Sequence, residues 1–461
     1  MSSDRSETDI LRHYDRNFVW HPFTPMLEYC REEIPIIAEA EGFHLIDTEG
    51  RAYIDGTSSL WCNVHGHRVA EIDDAIAAQV DRVSHSTLLG LANAPSVELA
   101  HQLVARVPAG LSRVFYSDSG ATAVEVALKI AFQFHRQKPR PESRDLFVSL
   151  SGAYHGDTLG AVSVGGVDLF HSVYESLLFP TLKVPSPVTY RVPPGYDADS
   201  YLQFCVDELD RTLRENQERI AAFIIEPLVQ GASGMLVHPP GYLRRVRELT
   251  YQYDIPLIAD EVAVGFGRTG TMFACEQEDV APDILCLAKG LTGGYLPLAA
   301  TLCSEEIYSA FLAPPEQYKT FFHGHTFTGN PLGCAAALAS LRLFERNDIL
   351  GNVQRNGAWL QERLDDWRRY PQVGDIRQCG VMVGIELVSD NESQARFPTA
   401  WRVGHRITKA ARKRGLITRP LGDILVIMPA PAMPQRVLSE LVDILEESML
   451  DVLQHLPPDE D

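Results

Sequence analysis

The sequence predicts an α/β protein, with a large domain on a mostly parallel sheet followed by a small α+β domain. Three observations predict it. Short apolar runs alternate with helical patterns from about residue 75 to 345, the order that gives a parallel sheet covered on both faces. Several of those runs end in a charged residue that a plain core strand would not place there. After about residue 350 the pattern shifts to strand-like runs and two amphipathic helices.

In chain order, residues 1 to about 17 read as a frayed or weakly helical start. NFVWHPFTPM is too apolar for a free tail and should pack at the mouth of a site or on a second subunit. Phe43 to Asp47 and Arg51 to Asp55 alternate around Thr48-Glu49-Gly50 as a hairpin should. SSLWCNVHGH reads as a polar, aromatic loop before the helical run AEIDDAIAAQVDRV. In VFYSDSGATAVEVALKIAFQFHR a strand end meets Ser117 to Thr122, and Val124, Ala127, Leu128, Ala131 and Phe132 then recur at helical spacing. Small residues opening a helix leave N–H groups for an anion, and plain capping by Ser119 explains the same residues.

LFVSL at 146 to 150 is a strand running into SGAYHGDT, with Tyr154, His155 and Asp157 on the loop. A lone His155 reads as a hydrogen-bonded structural histidine. Residues 181 to 200, rich in proline, read as loop. Ala221 to Pro227 is a strand delivering Glu226, and Pro256 to Asp260, Asp283 to Ala288 and Leu298 to Cys303 follow as strands. His323 and His325 have no third ligand near them in sequence, which predicts no metal. The helix from Pro331 is apolar on nearly every side and should be deeply buried. IRQCGVMVGIELV, GLITRPLGDILVIMPA and helices near 399 to 414 and 434 to 454 make the small lobe. Arg419, between two strand-like runs, is a candidate carboxylate clamp or a plain surface arginine.

Composition narrows the function classes. With 45% hydrophobic and 22% charged residues the 461-residue chain has an ordinary globular make-up, with room for two or three lobes. A formal charge of -20 without a basic arm argues against a nucleic-acid partner. Eight scattered cysteines without a CxxC pair point to a reducing compartment. No apolar run approaches the roughly 18 to 20 residues a membrane span needs. MSSDRSETDI is polar and acidic, unlike a targeting peptide, so the expected location is cytoplasmic.

The most informative stretch is IPLIADEVAVGFGRTGTMFACEQEDVAPDILCLAKGLTGGY, residues 255 to 295. One strand delivers Asp260 and Glu261, the other Lys289. Carboxyl ends of strands in open α/β sheets are where ligands sit. A carboxylate and a lysine at that edge suit pyridoxal phosphate, whose ring nitrogen needs an anion and whose aldehyde needs an amine. Taken alone, the pair is equally compatible with an ordinary surface Asp and Lys.

Six motifs in order decide between these readings: SDSGATAVEVALKIA, GAYHGDTLGAVSV, IIEPLVQGASGM, LIADEVAVGFGRTG, APDILCLAKGLTGG and HGHTFTGNPLGCAAALA. With them the chain resembles the class III aminotransferases of fold type I, which use pyridoxal 5'-phosphate, from about Trp20 to Pro431. WHPFTPM, SSLWCNVHGH and TRPLGD look like the branch that forms 7,8-diaminopelargonate from 8-amino-7-oxononanoate in biotin synthesis. The resemblance implies that Lys289 forms the Schiff base with the cofactor and Asp260 faces its ring nitrogen. Gly120 and Ala121 would cradle its phosphate, with Tyr154 against the ring. Gly324, His325 and Thr326 would reach the phosphate region from the neighbouring subunit of a homodimer. Trp61 and Tyr154 would wall the substrate pocket and Arg419 would hold the substrate carboxylate.

The same resemblance implies a small domain made of residues 1–74 and 346–461 around a large cofactor domain, 75–345. It implies a ping-pong cycle between an amino donor and a keto-acid acceptor. Members that use S-adenosylmethionine as donor carry tyrosine at Phe23, a second tryptophan at Leu60 and proline at His325. NVHGHR, SHSTLLG and HGHTFTGN look instead like the branch that takes lysine. An ω-amino acid aminotransferase is the alternative within the class, and a decarboxylase or aminomutase the alternative on the same fold.

Overall fold

The computed structural model describes residues 6–456; residues 1–5 of the expected helical start lie outside the described residues. The start is firmer than its sequence predicts. Glu7–Phe18 is a regular helix, because Ser6 and Asp9 form a reciprocal capping box at its first turn.

The centre is a seven-stranded sheet. Its spatial order is Leu111–Ser117, Ala299–Ser304, Ile284–Leu287, Leu257–Asp260, Ile220–Ile225, Leu146–Leu150 and Leu182–Val184. The strands from Ile284–Leu287 to Leu182–Val184 are parallel, and Ala299–Ser304 runs against both of its neighbours. Leu146–Leu150, Ile220–Ile225, Leu257–Asp260 and Ile284–Leu287 are buried along their whole length. This follows from helices on both faces, and it is why these strands read as unbroken apolar runs.

Leu182–Val184 corrects the reading of 181 to 200 as loop alone. It is a three-residue edge strand between Pro180 and Pro185, too short to show a period of two. Gly120–Gln137 packs one face of the sheet through Ala123, Val124, Ala127 and Ala131. Pro331–Arg346 is buried along most of its length, its small residues letting neighbouring helices approach closely.

The predicted hairpin is present as His44–Asp47 and Ala52–Asp55, preceded by a further strand, Ile37–Glu41. Ala52–Asp55 then pairs in parallel with Leu416–Ile417, more than 350 residues later. Val373–Cys379, Met382–Leu387 and Ile424–Ile427 form a three-stranded antiparallel sheet. Its helices are Val403–Lys413 and Gln435–Gln454, near the predicted ranges. Among the described residues no helix is long and apolar enough to cross a membrane.

Candidate active site

Four strands that run in the same direction bring their functional residues to one edge of the sheet. Asp260 ends its strand; Glu226 and Lys289 follow theirs by one and two residues. Asp118, Ser119 and Gly120 follow Leu111–Ser117. These groups, with Ala121, Tyr154, Trp61, Phe23, Phe170 and Arg419, line one cavity of about 760 Å³. Lys289, Asp260, Tyr154, Gly120, Ala121, Trp61 and Arg419 are thus brought together. Gly324, His325 and Thr326 do not line it; His325 Nδ1 lies 3.0 Å from Asp118 Oδ2 at its margin.

Lys289 sits at the cavity floor with a left-handed φ of 44°. Its Nζ lies 4.9 Å from the Trp61 ring centre. Burial lowers its pKa from the usual lysine value, and the nearby Asp260 and Glu226 only partly oppose this. A larger fraction of the amine is therefore uncharged and nucleophilic near neutral pH.

Asp260 is 4% exposed, so its carboxylate needs partners. Val262 donates its backbone N–H to Oδ1 at 3.1 Å, and His155 Nδ1 lies 2.7 Å from Oδ2. The carboxylate accepts, so Nδ1 carries the hydrogen, which leaves His155 Nε2 buried with no partner among the described residues. His155 is hydrogen-bonded, as a lone histidine predicts. That its partner is Asp260 was not legible, because 105 residues separate the two.

Glu226 is a second group that sequence reasoning underused. Its Oε1 accepts from the Tyr154 N–H and its Oε2 from the Gly231 N–H, both at 3.0 Å. Burial pushes its pKa up to about 7. Tyr154 donates its hydroxyl to Asp157 Oδ2 at 2.8 Å, and burial with that bond raises its own pKa. Phe170 reaches the cavity from the short helix Asp168–His171 and meets Phe23 edge-on at 5.2 Å. No periodicity in so short a segment could have announced it.

The helix Gly120–Gln137 also begins at the cavity. Ser119 caps it with Thr122 in a capping box, so the plain capping role is real. The first turn is also tightly shaped. A Cβ at Gly120 would come within 2.5 Å of Val262, and one at Gly156 within 2.4 Å of the Ala121 Cβ. An anion-receptive helix start, a carboxylate and an amine of lowered pKa around one cavity fit the phosphate, ring nitrogen and aldehyde of pyridoxal phosphate.

Glu261, beside Asp260, is fully buried and turned away from the cavity, accepting the N–H groups of Ala274 and Cys275 at 2.7 and 2.9 Å. Burial pushes its pKa up from 4.5 to about 7. A carboxyl raised in this way supports the fold fully below the unfolded value, and that support is lost as pH rises through the folded one. The melting temperature of the protein should therefore fall between about pH 4.5 and 7 partly on account of Glu261. Glu261→Gln should flatten that fall whatever its absolute stability. An unchanged slope would show that Glu261 titrates normally.

The comparisons with known proteins agree with this chemistry. The family model for aminotransferase class-III matches residues 30–449. An adenosylmethionine-8-amino-7-oxononanoate aminotransferase from Nitratidesulfovibrio vulgaris is 53% identical over 98% of this chain and 83% of that one. One of the same name from Geobacter sulfurreducens is 52% identical over 96% and 98%. The crystal structure of the Methanocaldococcus jannaschii protein of that name superposes with a TM-score of 0.91 at 40% identity, covering 96% of this chain and 99% of that one. A thermostable (S)-enantioselective omega-transaminase from Thermomicrobium roseum superposes with a TM-score of 0.91 at 34% identity, covering 96% and 98%. The chain belongs to the class III aminotransferases, and so is an enzyme of the pyridoxal-phosphate-dependent, fold type I group.

Proposed function

We propose that this enzyme transfers an amino group to 8-amino-7-oxononanoate in biotin synthesis, with lysine as the donor. The observation that carries the acceptor is the cavity itself, which is lined by the Lys289 amine, by Arg419 and by the apolar side chains of Phe23, Leu60, Trp61 and Phe170. Arg419 lies 5.6 Å from the Phe23 ring centre and makes no salt bridge among the described residues. It is therefore free to meet a carboxylate at the end of a long aliphatic chain. The printed names of the Nitratidesulfovibrio and Geobacter relatives support the same acceptor.

Pyridoxal phosphate, when bound, supplies an electron sink for the pair left when the donor's Cα–H bond breaks. Lys289 would hold its aldehyde and Asp260, oriented by His155, would face its ring nitrogen and keep it protonated. The N–H groups of Gly120 and Ala121 would take its phosphate. The Lys289 amine would take the proton from the donor Cα as that C–H bond breaks and would give it up again to complete the transfer. Tyr154, fixed through its N–H by Glu226 and its hydroxyl by Asp157, walls the cavity beside it.

Lysine as donor is supported by Phe23, which brings no hydroxyl to the cavity wall, and by Leu60, which lines it where a second tryptophan would narrow it. The relatives' names favour a second reading, S-adenosylmethionine. The test is a half-reaction followed by absorbance, in which each donor is mixed with yellow enzyme and the acceptor is added afterwards. Bleaching by lysine and recovery with the oxononanoate are expected. Bleaching by S-adenosylmethionine alone would overturn the donor, and no recovery with the oxononanoate would favour an ω-amino acid aminotransferase.

The active form is read as a cytoplasmic homodimer. Trp20, Leu89, Leu91 and Phe322 are each 65% exposed or more in the single chain, which supports burial against a second copy. Gly324, His325 and Thr326 would then approach the partner's phosphate site. Residues 1–74 and 346–461 are assigned to one small domain around 75–345. The pairing of Ala52–Asp55 with Leu416–Ile417, and the packing of Ile54 among the small-lobe residues Leu416, Ile427 and Leu441, support it.

A further inference from the structure

Ser58, Ser59, Leu60 and Trp61 have φ angles of 44°, 50°, 72° and 67°. None is a glycine, and L-residues enter this left-handed region singly and at a cost, so a run of four has to be held in place. The holding group is Asp55, which is 3% exposed. Its Oδ1 accepts the Ser59 N–H at 2.8 Å and its Oδ2 accepts the Ser59 hydroxyl at 2.6 Å. His67 Nε2 approaches the same Oδ2 at 3.0 Å. Burial alone would raise the Asp55 pKa, but the bonds from His67 and Ser59 outweigh it and keep the carboxylate ionised. A further tie runs from the Ser58 hydroxyl to the Met428 carbonyl at 2.9 Å.

What the turn positions is Trp61. Its indole faces Lys289 Nζ at 4.9 Å on one side. It also fits against Gly231, where a Cβ would come within 3.2 Å of Cζ3. The indole thus lies between Lys289 and a glycine that leaves room for its outer edge.

We propose that Asp55 is a positioning residue, which clamps the left-handed Ser58–Trp61 turn and so holds Trp61 over Lys289. This rests on Lys289 being the reacting amine. Relaxed to an ordinary conformation, the turn would swing the indole away and let water reach Lys289.

Two measurements test it, one of which needs no reaction. In the protein without cofactor, Asp55→Asn should speed amide hydrogen exchange over residues 58–63 about tenfold and leave the Ile220–Ile225 strand unchanged. Unchanged exchange in 58–63 would overturn the clamp. In the donor half-reaction, Asp55→Asn should lower kcat/KM about tenfold in the native background and less than about twofold in a Trp61→Ala background. Equal losses in both backgrounds would show that Asp55 acts on the fold generally and overturn the proposal. If Asp55→Asn does not fold, Ser59→Ala, at an exposed position, carries both measurements with smaller effects of the same pattern. Failure of Lys289 as the reacting amine would appear separately, as turnover retained in its own alanine variant.

Discussion

Lys289→Ala should abolish transamination. On the proposed reading the residue has two roles that one substitution removes together: it would anchor the cofactor's aldehyde and it would carry the proton. General acid–base catalysis alone is worth about 10²–10⁴-fold. With the nucleophilic anchor lost as well, turnover should fall by on the order of 10⁴-fold or more. Burial favours this role, since it lowers the amine's pKa and so raises the fraction with a free lone pair. The check is product formation by mass spectrometry, with melting temperature as the control for folding. Near-normal turnover in a folded variant would refute the mechanism.

Arg419→Ala should raise KM for a carboxylate-bearing acceptor and leave kcat nearly unchanged. A hydrogen bond to a charged group is worth about 1.5–3 kcal/mol, or roughly tenfold to a hundredfold in affinity. Arg419 is an exposed residue, so solvent screening places the effect at the lower end, about tenfold. Arg419→Lys should recover only part of it, because an ammonium cannot make the paired contact of a guanidinium. An acceptor lacking the carboxylate should not distinguish the variants. A KM unchanged in Arg419→Ala would place the carboxylate elsewhere.

The sheet was largely legible from the chain, because fully buried parallel strands must be unbroken apolar runs and theirs end at Glu226, Asp260 and Lys289. Those endings also pointed to the site, since charge at the end of a buried run is costly without a purpose. What was not legible depends on contacts across long separations or on backbone conformation. The bond from His155 to Asp260 leaves no trace in either segment. Phe170 sits on a four-residue helix with no pattern to read. The left-handed turn at Ser58–Trp61 contains no glycine to announce it. Leu182–Val184 is a strand by virtue of its neighbour, Leu146–Leu150, rather than its own residues.

The tie from Ser58 to Met428 spans 370 positions, and the Ala52–Asp55 strand waits on Leu416–Ile417 in the same way. Contacts of such separation form late, since closing the intervening loop must precede them. During synthesis the central sheet has all its strands by residue 304, whereas the wall that carries Trp61 still lacks its support. In chain order, then, the strands of the central sheet precede the segment that braces the cavity wall. The wall that carries Trp61 is completed only by residues 416–428.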